Sequence, residues 1–203
     1  MSKILEKKDI EIAAECLSRG GLVAFATETV YGLAVIYDNK LSFDRLVRIK
    51  GRSPDKPFSM MVANPKDIHF YAKPNPNAEK LVAKFMPGEI TLIMDGKSSL
   101  PWWVSLHTGK IGIRIPDDNY VRSLICTVGK PLLVTSANRS GQPALVTFDD
   151  VSKEFYNDVD AIVKGKCSSS MPSTVVDTCD KISIIRVGSI SKEMVLHALE
   201  EQK

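Results

Sequence analysis

Two hydrophobic periods run along this chain, and the switches between them divide it into elements. Ile10, Ala13, Ala14 and Leu17 recur at helical spacing between Asp9, placed to cap, and Gly20-Gly21, placed to terminate, which predicts a helix over 9–18. The unbroken apolar run over 22–26 reads as a buried strand. Phe43, Leu46, Val47 and Ile49 predict a helix over 42–50 that Gly51 and Pro54 stop, and "FSMMV" at 58–62 is the next strand. Ala78, Leu81, Val82 and Phe85 predict a helix over 77–86, closed by Pro87-Gly88 before the strand "ITLIM". In "KIGIRIP" the period changes to two. Ile111, Ile113 and Ile115 share one face and Gly112 and Arg114 the other, so Arg114 needs either an anion or a solvent face.

The same reading predicts a helix over 118–128, the strand "PLLV", a short helix near 149–155, the strands "AIVK", "STVVDT" and "SIIRV", and a last helix from Ser191. Strands alternate with helices, but the late strands follow one another directly. A single α/β domain over 1–203 with a mixed sheet is therefore expected, and 203 residues suffice for one sizeable core.

Composition narrows the class without naming a function. The chain is 44% hydrophobic and 25% charged with 12 Gly and 11 Pro, the profile of an ordinary globular protein. A formal net charge of +3 suits anionic ligands such as nucleotides or RNA and equally many unrelated enzymes. Cys16, Cys126, Cys167 and Cys179 form no C-x-x-C pair, and His69, His107 and His197 have no ligand spacing, so reduced thiols and no structural zinc are expected. The N-terminal "MSKILEKKDI" lacks a signal-peptide core and no apolar run reaches membrane-spanning length, which points to a cytoplasmic protein without a membrane partner.

Polar segments at strand ends carry the candidate chemistry. "TETVYGL" at 27–33 offers Thr27, Thr29 and Gly32 to a ligand, or places β-branched residues in a strand with a bulge at Gly32. "KGRSPDKP" groups Lys50, Arg52 and Lys56 in a proline-stiffened loop, where they suit a triphosphate or simply favour a helix C-terminus. "VTSANRSGQPA" at 134–144 reads as a turn or as a ligand loop of hydroxyls, an amide and open backbone. Trp102-Trp103 fits packing or base stacking. No P-loop, dinucleotide fingerprint or G-x-S-x-G elbow occurs, so an ATP site must be built another way.

Taken in order, "TETVYGL", "KGR" with "KPF", "PGEITLI", "IGIRIP", "TSANRSGQPA", "STVVD" and "IIRVG" resemble the YrdC/Sua5 family of threonylcarbamoyl-AMP synthases over residues 22–189. The resemblance implies a twisted mixed sheet flanked by helices around a concave, positively charged cavity. It also implies the reaction of L-threonine, bicarbonate and ATP to threonylcarbamoyl-AMP and pyrophosphate, with Mg2+ accompanying ATP, as the first stage of threonylcarbamoyladenosine formation in tRNA. Its product implies a downstream threonylcarbamoyltransferase, and direct tRNA contact is a further implied possibility.

By motif position, the resemblance assigns threonine to Thr29, Arg114, Ser173 and the Val134 backbone, with Met61 where some members carry a histidine. It assigns the nucleotide and its phosphates to Lys50, Arg52, Lys56, Lys110, Ser136, Asn138, the backbone near Ala144, and Arg186, with Lys50 and Arg52 the catalytic cations and no metal ligand from the protein. The chain departs from the family pattern at Ala26, Ser53-Pro54 and Val187, and "KPFSMMV" leans toward the YciO branch while "SANRSG" leans toward the synthases. With nothing after Lys203, the short single-domain form is expected. Two other readings stay open: an RNA-binding YrdC/YciO-type module, and a carbamoyl-adenylate enzyme with another substrate.

Overall fold

A computed structural model describes residues 1–51 and 57–200. In chain order its elements are β1 (Lys3–Leu5), α1 (Ile10–Ser18), β2 (Val23–Phe25), β3 (Gly32–Ile36), α2 (Lys40–Lys50), β4 (Ser59–Met61), α3 (Ile68–Tyr71), β5 (Ala72–Lys73), α4 (Pro76–Phe85) and β6 (Ile90–Gly96). They continue with α5 (Trp102–Ser105), β7 (Lys110–Arg114), α6 (Asn119–Val128), β8 (Leu132–Ser136), α7 (Phe148–Phe155), β9 (Ala161–Val163), β10 (Thr174–Asp177), β11 (Ser183–Arg186) and α8 (Lys192–Glu200). The described strands form one 11-stranded sheet in the order β1-β9-β2-β3-β8-β4-β7-β6-β10-β11, with β5 against β6. The sheet is mixed, as expected: β4 runs parallel to β7 and antiparallel to β8, and β10 runs parallel to β6 and antiparallel to β11.

Strand alternation divides the apolar residues between two faces. Leu33, Met60, Leu92, Ile113, Leu133 and Val176 point to one core, which Phe43 and Leu46 of α2, Leu81 of α4, Phe155 of α7 and Val195 of α8 complete. On the other face Val23, Phe25, Ala34 and Leu132 meet Ala14 and Leu17 of α1 and Val121 and Leu124 of α6. Those two helices cover only part of that face. Across β4, β7, β6 and β10 it carries Ser59 opposite Gly112 and Thr91 opposite Val175, with Gly112 itself opposite Ile93 and close to Thr91, and the small residues among them leave room for a cavity.

Local chemistry explains where the elements differ from expectation. α2 starts at Lys40 because the Asn39 side chain accepts the Ser42 N–H at 3.1 Å, and it ends where Gly51 turns left-handed at φ 57°. Asp9 precedes α1 but gives its carboxylate to the Glu6 N–H at 2.8 Å, so it does not cap that helix. The strands β1, β3 and β5 and the short helix α5 carry no clear period. β3 is buried at all five positions, and such a strand has no alternation to read. Gly32 opens this strand instead of marking a bulge, since a Cβ there would lie 2.8 Å from Val134 Cγ1.

Gly188 fixes the far wall. A Cβ would fall 2.1 Å from Pro172 O and 2.7 Å from Thr174 N, while its own N–H donates to Thr174 Oγ1 at 2.8 Å. Because the obstacles are backbone atoms, Gly188→Ala is expected to lower stability at or beyond the upper end of the ~1–3 kcal/mol typical of overpacking. Urea unfolding checks this, and an unchanged midpoint would show that the 172–174 segment yields.

Candidate active site

A cavity of about 670 Å³ opens over the uncovered sheet face. Its walls come from the turn after β2, the outer ends of β4, β6, β7 and β8, and the segment leading into β10 and β11. Thr29, Met61, Arg114, Val134, Ser173, Lys110, Ser136 and Arg186 all line it, so segments scattered over the sequence converge on one space.

Arg114 is the best-held charge in the cavity wall. The register Met61↔Arg114 puts it at the end of β7, on the cavity face opposite Ile113. It is only 4% exposed, so the solvent alternative fails and the anion alternative holds. Its Nη2 donates to Glu28 Oε1 at 2.6 Å and to Thr29 Oγ1 at 3.1 Å, and its Nε donates to Gly88 O at 3.2 Å. Glu28 Oε1 also accepts the Asp117 N–H at 2.8 Å. None of these bonds uses Nη1, which leaves that amine for a ligand.

The opposite wall is tied together by hydroxyls and a second guanidinium. Ser173 Oγ lies 2.9 Å from Thr91 Oγ1. Arg186, although exposed as a residue, donates through Nη2 at 2.8 Å and Nε at 3.1 Å to Ser173 O. Partial burial of its guanidinium and the nearby Arg114 charge both pull its pKa below the ordinary value. Two cations thus face the same space, and an anion between them would offset both charges. Lys110 is held 3.3 Å from Asp177 and 3.3 Å from Asp180. Burial works to raise the Asp177 pKa, but the Cys179 N–H and Lys110 outweigh it and hold the carboxyl below its usual value.

The 136–145 loop forms the rim, and Lys50 lies beneath it. Ser136 Oγ donates to Asn138 Oδ1 at 2.7 Å, and Asn138 Nδ2 donates to Gln142 O at 2.6 Å. Lys50 is 3% exposed and donates to Ser136 O at 2.8 Å, Asn138 O at 2.7 Å and Asn138 Oδ1 at 2.6 Å. Leu145 bonds to Ala137 and Tyr31, so neighbouring Ala144 runs alongside the loop and away from the cavity lining. Asn138 and Lys50 are also absent from that lining. Arg52 and Lys56 lie outside the described residues.

Glu28 is the residue that the sequence reading missed. Its signal was an acidic side chain between two threonines in a turn that is otherwise apolar or hydroxyl-bearing, a position where charge calls for a buried partner. Trp103 packs against the core and its Nε1 donates to Tyr37 O at 3.0 Å, while Trp102 is exposed and stacks on His107 at 4.8 Å. The four cysteines are unpaired, and burial pushes up the thiols of Cys16, Cys167 and Cys179, the last to about 12, which suppresses their thiolate forms.

Comparison with known proteins gives a consistent result. The Sua5_yciO_yrdC family model, described as "Telomere recombination", matches residues 15–188. A Methanocaldococcus jannaschii protein is 37% identical over 186 residues, covering 91% of this chain and 87% of its own length. A Vibrio cholerae protein named threonylcarbamoyl-AMP synthase is 30% identical over 184 residues, covering 89% of this chain and 98% of its own. The crystal structure of Pyrococcus abyssi Sua5 complexed with L-threonine superposes with a TM-score of 0.92 at 29% identity, over 99% of this chain and 61% of that one.

Proposed function

The chain belongs to the Sua5/YciO/YrdC family, and from that premise we propose that it is a threonylcarbamoyl-AMP synthase, joining L-threonine, bicarbonate and ATP with release of pyrophosphate. The observation that carries the reading is the pair of arginines, Arg114 and Arg186, that meet across a hydroxyl-lined cavity, where burial and the Arg114 charge together lower the Arg186 pKa. The reaction brings an anionic carbamate against an anionic phosphate, and such a site stabilises that approach.

In this reading Arg114 Nη1 takes the threonine carboxylate, and Thr29, Met61, Val134 and Ser173 enclose the rest of the amino acid. The Ser136 rim and Lys110 face the nucleotide, while Arg52 and Lys56 keep the phosphate role that their motif implies. Lys50 serves by positioning, since its ammonium holds the carbonyls of Ser136 and Asn138 from below. The threonine amine captures CO2 from bicarbonate, the carbamate oxygen attacks the α-phosphorus, and pyrophosphate leaves. No cavity side chain is asked to form a covalent bond.

Among the described residues no group of three or more His, Cys, Asp or Glu could hold a metal ion, and Asp177 is the carboxylate in the cavity wall. Mg2+ is proposed as the companion of the triphosphate, where it offsets phosphate charge. No described helix is long and apolar enough to cross a membrane. A cytoplasmic setting, a place in tRNA threonylcarbamoyladenosine formation and a downstream transferase for the labile adenylate complete the proposal.

Omitting threonine and bicarbonate in turn tests it. Pyrophosphate release that needs both is the expected result. Release indifferent to threonine would indicate another amino substrate, and salt-sensitive RNA binding without turnover would indicate an RNA module.

A further inference from the structure

The hydroxyls beside Arg114 have an order that can be worked out from their partners. Thr27 Oγ1 lies 2.8 Å from Val30 O, and a carbonyl only accepts, so the single Thr27 proton is committed there. Thr27 Oγ1 also accepts the Thr29 N–H at 3.1 Å. Its 2.9 Å contact with Thr29 Oγ1 must then be a bond that Thr29 donates. With that proton spent, Thr29 Oγ1 accepts from Arg114 Nη2 at 3.1 Å and retains one lone pair, and Thr29 lines the cavity. The chain of bonds runs one way, from Arg114 through Thr29 and Thr27 to Val30 O.

We propose that Thr27 is a positioning residue: by taking the Thr29 proton, it makes Thr29 Oγ1 an obligate acceptor beside the free Arg114 Nη1 donor, so that an α-amino acid binds in one orientation. Its carboxylate meets the arginine and its amine donates to Thr29. This inference rests on the synthase reading of the cavity. A donor and an acceptor side by side match the adjacent carboxylate and amine of an α-amino acid, and the reverse placement would set acceptor against acceptor. The bond also leaves the nitrogen lone pair directed away from Thr29, where it can meet CO2. Thr27 itself is 2% exposed; although it borders the cavity, both its lone pairs and its proton are already used within the turn.

Thr27→Val keeps the side-chain volume and removes the acceptor, freeing the Thr29 hydroxyl to rotate. Its expected effect is a rise of about tenfold or more in KM for threonine, with KM for ATP within about twofold and Thr27→Ser near wild type. Titration calorimetry with L-threonine gives a reading independent of turnover, and thermal unfolding of each variant confirms that it is folded. Wild type that binds threonine while folded Thr27→Val binds it equally well overturns the inference alone. Equal rises in both KM values overturn it in favour of a purely structural role. A wild-type protein that binds no α-amino acid overturns the inference together with the synthase reading.

Discussion

Arg114→Met is expected to remove threonine-dependent turnover and to destabilise the fold by ~3–5 kcal/mol, the cost of leaving one partner of a buried ion pair alone. Glu28 is 9% exposed, its Oε1 is 2.6 Å from Arg114, and its Oε2 is already buried without a hydrogen-bond partner. Losing the guanidinium leaves that carboxylate with the Asp117 N–H as its remaining bond. Combining Arg114→Met with Glu28→Gln removes the uncompensated charge and keeps an acceptor for Asp117. The double variant should therefore recover most of the stability and none of the activity. Urea unfolding and pyrophosphate release measured on the same preparations separate the two effects, and a stable single variant would show that the pair contributes little to folding.

Lys50→Met carries the second large effect. Lys50 follows Phe43 and Leu46 at spacings of three and four, so α2 directs it inward with the apolar stripe. There its ammonium holds Ser136 O, Asn138 O and Asn138 Oδ1. Methionine keeps the aliphatic stem but strands these acceptors. A loss of at least the ~1.5–3 kcal/mol of one charge-assisted bond is expected, with KM for ATP rising more than KM for threonine as the rim loosens. A variant of unchanged stability but much lower kcat would instead make Lys50 a direct phosphate ligand.

These two residues also show what could and could not be read from the chain. The alternation of Ile111, Ile113 and Ile115 placed Arg114 on the face opposite the core correctly, because period two is a local property of the strand. The anion beside it comes from a turn 86 residues away, and only the sheet order brings that turn to the end of β7. Lys50 had a readable position, on the stripe of its own helix, yet the short basic segment "KGRSPDKP" drew attention to its charge and away from its spacing. β3 was placed too early, as one reading of 27–33 with a bulge at Gly32, for a different reason. Its five residues are buried on both faces, so Gly32–Ile36 has no polar face to betray a strand, and the same burial gives β8 its partner along the cavity rim.

Mass spectrometry of the product decides whether this cavity joins carbamoylated threonine to AMP. Incubation with L-threonine, ATP and carbon-13 bicarbonate should yield an adduct that contains threonine, the labelled carbonyl and AMP, with stoichiometric pyrophosphate. Conversion of ATP without a labelled threonine adduct would show that the cavity carries out a different reaction.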